Sequence, residues 1–478
     1  MTPSIQRATQ MPPGTPVVPV AIVGAGACGL TAALCLRDAG IECAVIERDQ
    51  RPQGSTALSS GFIPAAGTQR QRAAGVRDDS PQRFAADIQA KAAGCAAAHL
   101  VDAYAQAITT TMDVLEQRHG LVFELLDGFL YPGHSLRRMH ALPQRTGAAL
   151  VAALDAATQR AGAWLLTDAQ VHTLWCDGDD RVLGISFARP DGRTEHLACA
   201  ALLLACNGFG GNPALVQQHL PEMRGAIYAG HAGNDGSAIA WGPQLGARLA
   251  DLGGYQGHGS WAVPQGALIT WALMMQGGVQ VNALGRRFHD ETAGYSEAAA
   301  QVLAQPGGVA WNVFDHALLA MAQGFPDFVA AQAAGALRHA ADGAGLAGLI
   351  GCDADALAAT LASTALQAPY CAIRVTGALF HTQGGLDIDA DCRVLRYDGR
   401  AFPNLLAAGG AARGVSGNGA AGYLSGNGLL SALAGGAIAA KTAAQMVAAA
   451  TGADPNAVSA HTTSLGIGAT GTAQKAPP

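Results

Sequence analysis

Apolar residues along this chain come in two kinds of run. Val17 to Val23 (VVPVAIV) is a nearly unbroken β-branched stretch, the pattern of a strand buried in a parallel sheet. LTAALCLRDAG (30–40) then predicts a helix closed by Gly40, and ECAVIE (42–47) a second strand ending at Glu47. Near the other end, NLLAAGGAARG (404–414) reads as a strand running into Ala-Gly-Gly, and SGNGLLSALAGGAIAA (425–440) opens another helix. Segments such as ALLLACNGFGG are too short to cross a bilayer.

The chain has 478 residues, too many for one compact core. Half of them are apolar and 13% are charged, which allows a large buried interior. Sixty-two glycines point to many tight turns or close backbone approaches. A net charge of −6 with no basic run excludes a nucleic-acid surface. The ten cysteines show no C-x-x-C spacing and read as small buried hydrophobes in a reducing compartment. The start lacks a basic stretch followed by an apolar one, so the chain reads as cytoplasmic and not membrane-inserted. Residues 1–16 and 446–478, rich in Ala, Gly, Ser, Thr and Pro, read as flexible tails.

Between the first strand and helix lie Gly24, Gly26 and Gly29 in G-x-G-x-x-G spacing. Gly24 suits the turn, Gly26 lets backbone reach a pyrophosphate, and Gly29 lets helix pack on strand. The helix N-terminus adds partial positive charge, and Glu47 is placed to hold ribose hydroxyls. The expectation is a dinucleotide site in an α/β, Rossmann-type domain. Two pieces select FAD over NAD. GSTALSSGFIPAAGT (54–68) packs small hydroxyl residues with Gly, as a backbone sliding past a flavin ring needs. The helix opening near Gly428 can face the flavin's pyrimidine oxygens.

These pieces, taken in order with ACNGFGGN, GRRFHDE, HTQGGL, AAGGAARG and GNGLL, resemble the fumarate reductase/succinate dehydrogenase flavoprotein superfamily over residues 17–445. That superfamily includes aspartate oxidase and the 3-ketosteroid Δ1-dehydrogenases. The resemblance implies an FAD-binding domain from two segments, 17–225 and 366–445, with an α+β cap domain, 226–365, inserted between them. CDADALAATLAST looks like the small helical element near the end of that cap. The resemblance extends the FAD contacts to Arg48, Ser55, Thr56, Ser59, Ser60, Gly61, Val171, Asn207, Gly208, Gly409, Asn427, Leu429 and Leu430.

Family members move a hydride between flavin N5 and a carbon next to an activating carbonyl or carboxylate. The resemblance assigns the family's first His to His258 (with Gly259 where the family has Pro), its Thr to Thr270 and its second His to His381. Its two arginine positions fall on Tyr295 and Tyr423, as in the ketosteroid dehydrogenases. The change makes chemical sense. Guanidinium holds carboxylates in a two-pronged grip, whereas a phenol suits a neutral carbonyl, whose α-hydrogen a tuned tyrosinate can remove. Tyr295 is then the base, while Tyr423 and a backbone N–H near Gly428 polarise the ketone. Trp271 and Met274 stand where fumarate reductases carry polar proton-delivery residues. GHSLRRMH (133–140) offers Arg137, Arg138, His134 and His140 to a substrate acid, or else forms a solvated basic turn. The expected function is FAD-dependent α,β-dehydrogenation of a small carbonyl compound (a cyclic ketone, an oxo-acid or a steroid-like ketone), with an electron acceptor the sequence does not identify. The alternatives are an enoate reductase of the fumarate reductase type and a non-catalytic FAD-binding redox module.

Overall fold

The computed structural model describes residues 2–126 and 128–451. The first sheet has Val17–Val23 between two parallel neighbours, Cys43–Ile46 and Thr194–Leu204, with Val23 opposite both Ile46 and Leu204. Ala401–Ala407, from the far end of the chain, adds in parallel beside Leu202–Leu204. Gln170–Cys176 and Val182–Ala188 extend the sheet as an antiparallel meander. The FAD-type α/β domain is therefore assembled from both ends of the chain, as expected.

Helices Ala27–Asp38, Ala98–His119 and Asn427–Thr451 belong to this sheet's core. The first and third cross almost backbone to backbone, since a Cβ on Gly436 would lie 2.5 Å from the Cys28 carbonyl oxygen. Among the described residues, Asn427–Ala450 is the one helix with the length and apolarity of a membrane span, and most of its most apolar stretch is buried in the fold.

A second sheet of seven strands forms the cap, with Tyr370–Thr382 paired to Tyr255–Ala262, Val309–Asp315, Arg338–Ala340 and Ile227–Tyr228. Tyr295–Leu303 lies directly on it. Gly257, Gly259 and Gly377 make that possible, for Cβ atoms there would sit 2.6, 2.6 and 2.2 Å from atoms of Ala299, Ala298 and Ala299 respectively. Gly259, which departs from the family's Pro, is where a side chain would collide with the helix. The small element near the cap's end is the helix Ala354–Ala362, whose N-terminal Ala356 N–H is capped by Asp353.

Four expectations change. Tyr370–Thr382, assigned above to the second nucleotide-binding segment, is the cap's long central strand, because YCAIRVTGALFHT buries residues on both faces. Conversely, Ser237–Leu245, assigned to the cap, buries Ala238, Trp241 and Leu245 in the first core, and Leu249–Ala250 pairs with Gly385–Leu386. Ser4–Arg7, within the supposed N-terminal tail, is a strand parallel to Gln170–Cys176, and Arg7 pairs with Asp180. The C-terminal helix continues to Thr451, and residues 452–478 lie outside the described ones.

Candidate active site

A cleft of about 500 Å³ runs from Gly24, Gly26 and Glu47 to Tyr295, Tyr423 and Gly428. At its nucleotide end the three glycines have different tasks. Gly24 has φ +107°, and a Cβ there would lie 2.6 Å from the Ala205 oxygen. A Cβ on Gly29 would lie 1.9 Å from the Gly24 oxygen, so this glycine serves helix packing and does not line the cleft. At Gly26 the nearest atom to a Cβ is Thr56 Oγ1 at 3.5 Å; that glycine faces open cleft. Glu47 accepts from the Ala25 and Asp49 amides at 2.7 and 3.0 Å, and burial raises its carboxyl above the usual range. Ser431 Oγ lines the cleft, buried and without a partner. Two long helices thus open onto a cleft with a side-chain-free floor and an unclaimed hydroxyl, which fits a dinucleotide.

Arg48, Ser55, Thr56, Ser59, Ser60, Val171, Asn207, Gly409 and Leu429 all line the cleft. Gly61, Gly208, Asn427 and Leu430 do not. Gly61 is needed for backbone packing on Thr146, 2.8 Å from a would-be Cβ, and Gly208 for packing on Thr382, 2.0 Å away. Leu430 is core. Asn427 acts one step removed: its Nδ2 donates to Ser416 Oγ (3.0 Å), which donates to Gln383 Oε1 (2.8 Å). Gln383 Nε2 in turn donates to His381 Nδ1 at 2.9 Å, shorter than the 3.4 Å from that nitrogen to the Thr382 oxygen.

The other end is built from the cap. The pairing of Tyr255–Ala262 shifts register between His258 and Trp261, a bulge that re-aims side chains there. His258 Nδ1 accepts from the Ser260 amide at 3.1 Å. Both histidines are therefore left with Nε2 as the N–H donor. Burial holds His258 down at about 3 and His381 at about 4, so both rings are neutral at physiological pH.

Tyr295 is the first residue of the helix Tyr295–Leu303 rather than part of a loop, and its ring stacks on His258 with centroids 4.9 Å apart. Tyr295 meets Tyr423 edge-on at 6.2 Å, and Tyr423 meets His381 at 5.6 Å. Burial raises the Tyr295 phenol above its ordinary value, partly offset by a hydrogen bond with the Ser425 side chain. Tyr423 is raised further by burial and by Tyr295, while the amides of Gly428 and Gly426 favour its phenolate. Thr270 lines the same end.

Sequence reasoning missed the walls. Phe62, Phe129, Tyr131, Trp261, Phe325 and Phe380 line the cleft. Tyr131 contacts Phe129 and Phe62 at 4.9 and 6.1 Å and lies close enough to Tyr295 to raise its own phenol. Trp271 also lines the cleft, whereas Met274 is buried outside it.

The basic candidates are elsewhere. Arg138 is fully buried, gripping Asp79 through Nε at 2.8 Å and Nη2 at 2.8 Å and pairing with Asp87. It is neither a substrate ligand nor part of a solvated turn. Arg137 does not line the cleft, and its carbonyl accepts from Gln71. His140 is tied to Thr68, and His134 donates to the Ser425 carbonyl at 2.9 Å. Among the described residues, the cationic side chains lining the cleft are Arg48, paired with Asp235, and Arg145.

A parallel-stranded α/β domain carrying this cleft defines a flavin dinucleotide-binding oxidoreductase. Residues 19–429 match the FAD binding domain family, to which the chain belongs, and FAD is its cofactor. The NADH:fumarate oxidoreductase of Klebsiella pneumoniae is 27% identical over 423 residues, covering 83% of this chain but 45% of that protein. The fumarate reductase (cytochrome) of Shewanella frigidimarina is 27% identical over 426 residues, covering 84% of this chain and 73% of the relative. Among solved structures, the open conformation of a flavocytochrome c3 fumarate reductase superposes with a TM-score of 0.77 at 24% identity, covering 91% of this chain and 79% of that one. The 3-ketosteroid Δ4-(5α)-dehydrogenase of Rhodococcus jostii, solved with 4-androstene-3,17-dione, gives 0.75 at 24% identity, covering 93% and 99%. These structures share the fold.

Proposed function

We propose that this chain is an FAD-dependent oxidoreductase acting on a CH–CH bond, introducing an α,β double bond beside the ketone of an apolar, ring-sized substrate. One observation supports this above others: Tyr295 and Tyr423 meet edge-on at 6.2 Å beside His258 and His381, at the two positions where the resemblance would have arginines. A dicarboxylate there finds phenols where the resemblance would supply a pair of guanidinium groups. A neutral carbonyl has two phenols, and the aromatic walls suit an apolar body.

Bound FAD supplies the acceptor for a hydride. The protein's own residues do the rest. Tyr295 takes the α-proton at its phenolic oxygen. Tyr423 donates its O–H to the ketone oxygen, and the Gly426 and Gly428 amides behind it make that hydrogen more acidic and stabilise developing enolate charge. His258 and His381, neutral, present Nε2–H groups that orient the substrate, with Thr270 beside them. The aromatic walls exclude water.

A second reading, reduction of an activated alkene in the same cleft, is supported by the raised Tyr295 phenol, which at neutral pH holds the proton an α-carbon would receive. The two readings separate by anaerobic mixing. Oxidised protein mixed with cyclic ketones, keto acids and steroids is expected to lose its flavin absorbance with a saturated ketone. Recovery of reduced protein by fumarate, with no bleaching by any ketone, would replace the first reading with the second. A flavin that responds to neither leaves a redox module.

A further inference from the structure

We propose that the cap carries a metal site, formed by His316, His339 and Cys371, that takes one zinc-class divalent cation. The sheet register brings the three together. Cys371 lies in the central strand, with His339 as its cross-strand partner on one side and Phe314 on the other. Cross-strand partners share a face, and the chain returns to that face two residues after Phe314, at His316. His316 opens the helix His316–Ala322, whose start Asp315 fixes by accepting from the Leu318 amide at 3.0 Å.

The distances suit a metal. One ligand atom from each residue lies within 4.8 Å of the others. Cys371 Sγ and His339 Nδ1 are 3.6 Å apart. Tetrahedral zinc, with Zn–S about 2.3 Å and Zn–N about 2.0–2.1 Å, requires an S···N separation of about 3.6 Å. The His316 and His339 rings are tilted by 43° at 5.9 Å rather than stacked, and both are exposed, so a cation reaches them from solvent. A small rotation of the exposed His316 side chain closes the remaining gap.

A thiolate with two imidazoles is a donor set for zinc and not for magnesium or calcium. On binding, the Cys371 S–H bond is replaced by a sulfur–metal bond and the proton leaves to water; water fills the fourth position. None of the three residues lines the FAD cleft. The site ties together a helix start and two strands of the cap, and its task is to hold the cap.

The test uses untagged, FAD-loaded full-length protein, freed of metal by a chelator and titrated with Co2+. The expected result is the red absorption of tetrahedral cobalt, where oxidised flavin is transparent, saturating at about one ion per chain and abolished by Zn2+. Cys371→Ser and His316→Ala should each remove that absorption. In competition with a colorimetric chelator, each should weaken zinc binding by about 100-fold or more, since losing even an outer partner of a ligand costs about 10–100-fold. His316→Ala changes an exposed ring and guards against a Cys371→Ser protein that fails to fold. Absence of red absorption in the wild type, or its persistence in either folded variant, overturns the proposal.

Discussion

The imidazole of His258 lies flat against the phenol ring of Tyr295, centroids 4.9 Å apart and planes within 20°. Two elements meet in this contact: a bulged strand that re-aims the histidine and a helix start that carries the tyrosine. The stack fixes Tyr295 in the cleft and leaves its hydroxyl directed to Ser425. Tyr295→Phe keeps the stack and removes only the hydroxyl. FAD binding should survive, while turnover falls by about 10²–10⁴-fold, in kcat rather than KM. Near-wild-type turnover would make Tyr295 a packing residue.

The pH profile follows from the same phenol. Because burial raises Tyr295 above its ordinary value, it is protonated at neutral pH, and ketone dehydrogenation should climb as pH rises into the alkaline range. That limb should vanish in Tyr295→Phe. His258 at about 3 and His381 at about 4 change no charge above pH 5, so neither should add a limb near neutrality.

Stability should respond to acid. His134 and His140 are held down at about 4 by burial, as is His381, with His258 at about 3. The unfolded chain binds these protons below about pH 6.5 and the fold does not, so stability present above that pH is lost as it falls towards 4. Each histidine contributes up to about 2 kcal/mol of that loss by pH 5. Four carboxyls raised by burial, Glu47, Asp113, Glu297 and Asp327, act in the opposite sense, but His172, His219 and His289 are lowered as well and add to the histidine side. The urea midpoint should drop between pH 6.5 and 5, less steeply in His140→Gln, which sits outside the cleft.

Three glycine substitutions should fail in different ways. Gly26→Val projects into open cleft, so the protein should fold and emerge colourless. Gly29→Ala drives a methyl to 1.9 Å from the Gly24 oxygen and should destabilise the fold itself. Gly428→Ala places a Cβ 2.7 Å from His381 Nε2, so it should keep FAD and lose turnover. Absorbance at the flavin band and a melting curve distinguish the three.

Arg138→Met should cost about 3–5 kcal/mol, because it leaves Asp79 buried without its partner. Substrate KM should not change if the remaining protein is assayed below its melting range. A raised KM with full stability would return Arg138 to the substrate.

The nucleotide end was legible in the sequence because its information is contiguous: one strand, three glycines, one helix, one acid within 17–47. Arg138 was misread because its partner, Asp79, lies 59 residues away and nothing local marks the pair. The aromatic wall was invisible for the same reason, since Phe62, Tyr131, Trp261, Phe325 and Phe380 come from separate segments with no shared spacing. Asn427 was read as a cofactor contact because the resemblance carries it over with GNGLL, and the relay through Ser416 and Gln383 exists only in the folded chain. Tyr370–Thr382 was drawn into the wrong domain by the HTQGG motif at its end.

The crossing at Gly436 works as a caliper. One arm begins beside Gly26, which faces the open nucleotide end of the cleft, and the other beside Gly428, where we propose that the ketone is polarised. With no side chain at the crossing point, the two arms meet backbone to backbone there, and a change at that point would alter the spacing of their two ends. A methyl at Gly436 would stand 2.5 Å from the Cys28 oxygen and force the arms apart. Gly436→Ala therefore offers a way to detune the chemistry from inside the core, with every residue that faces substrate left in place.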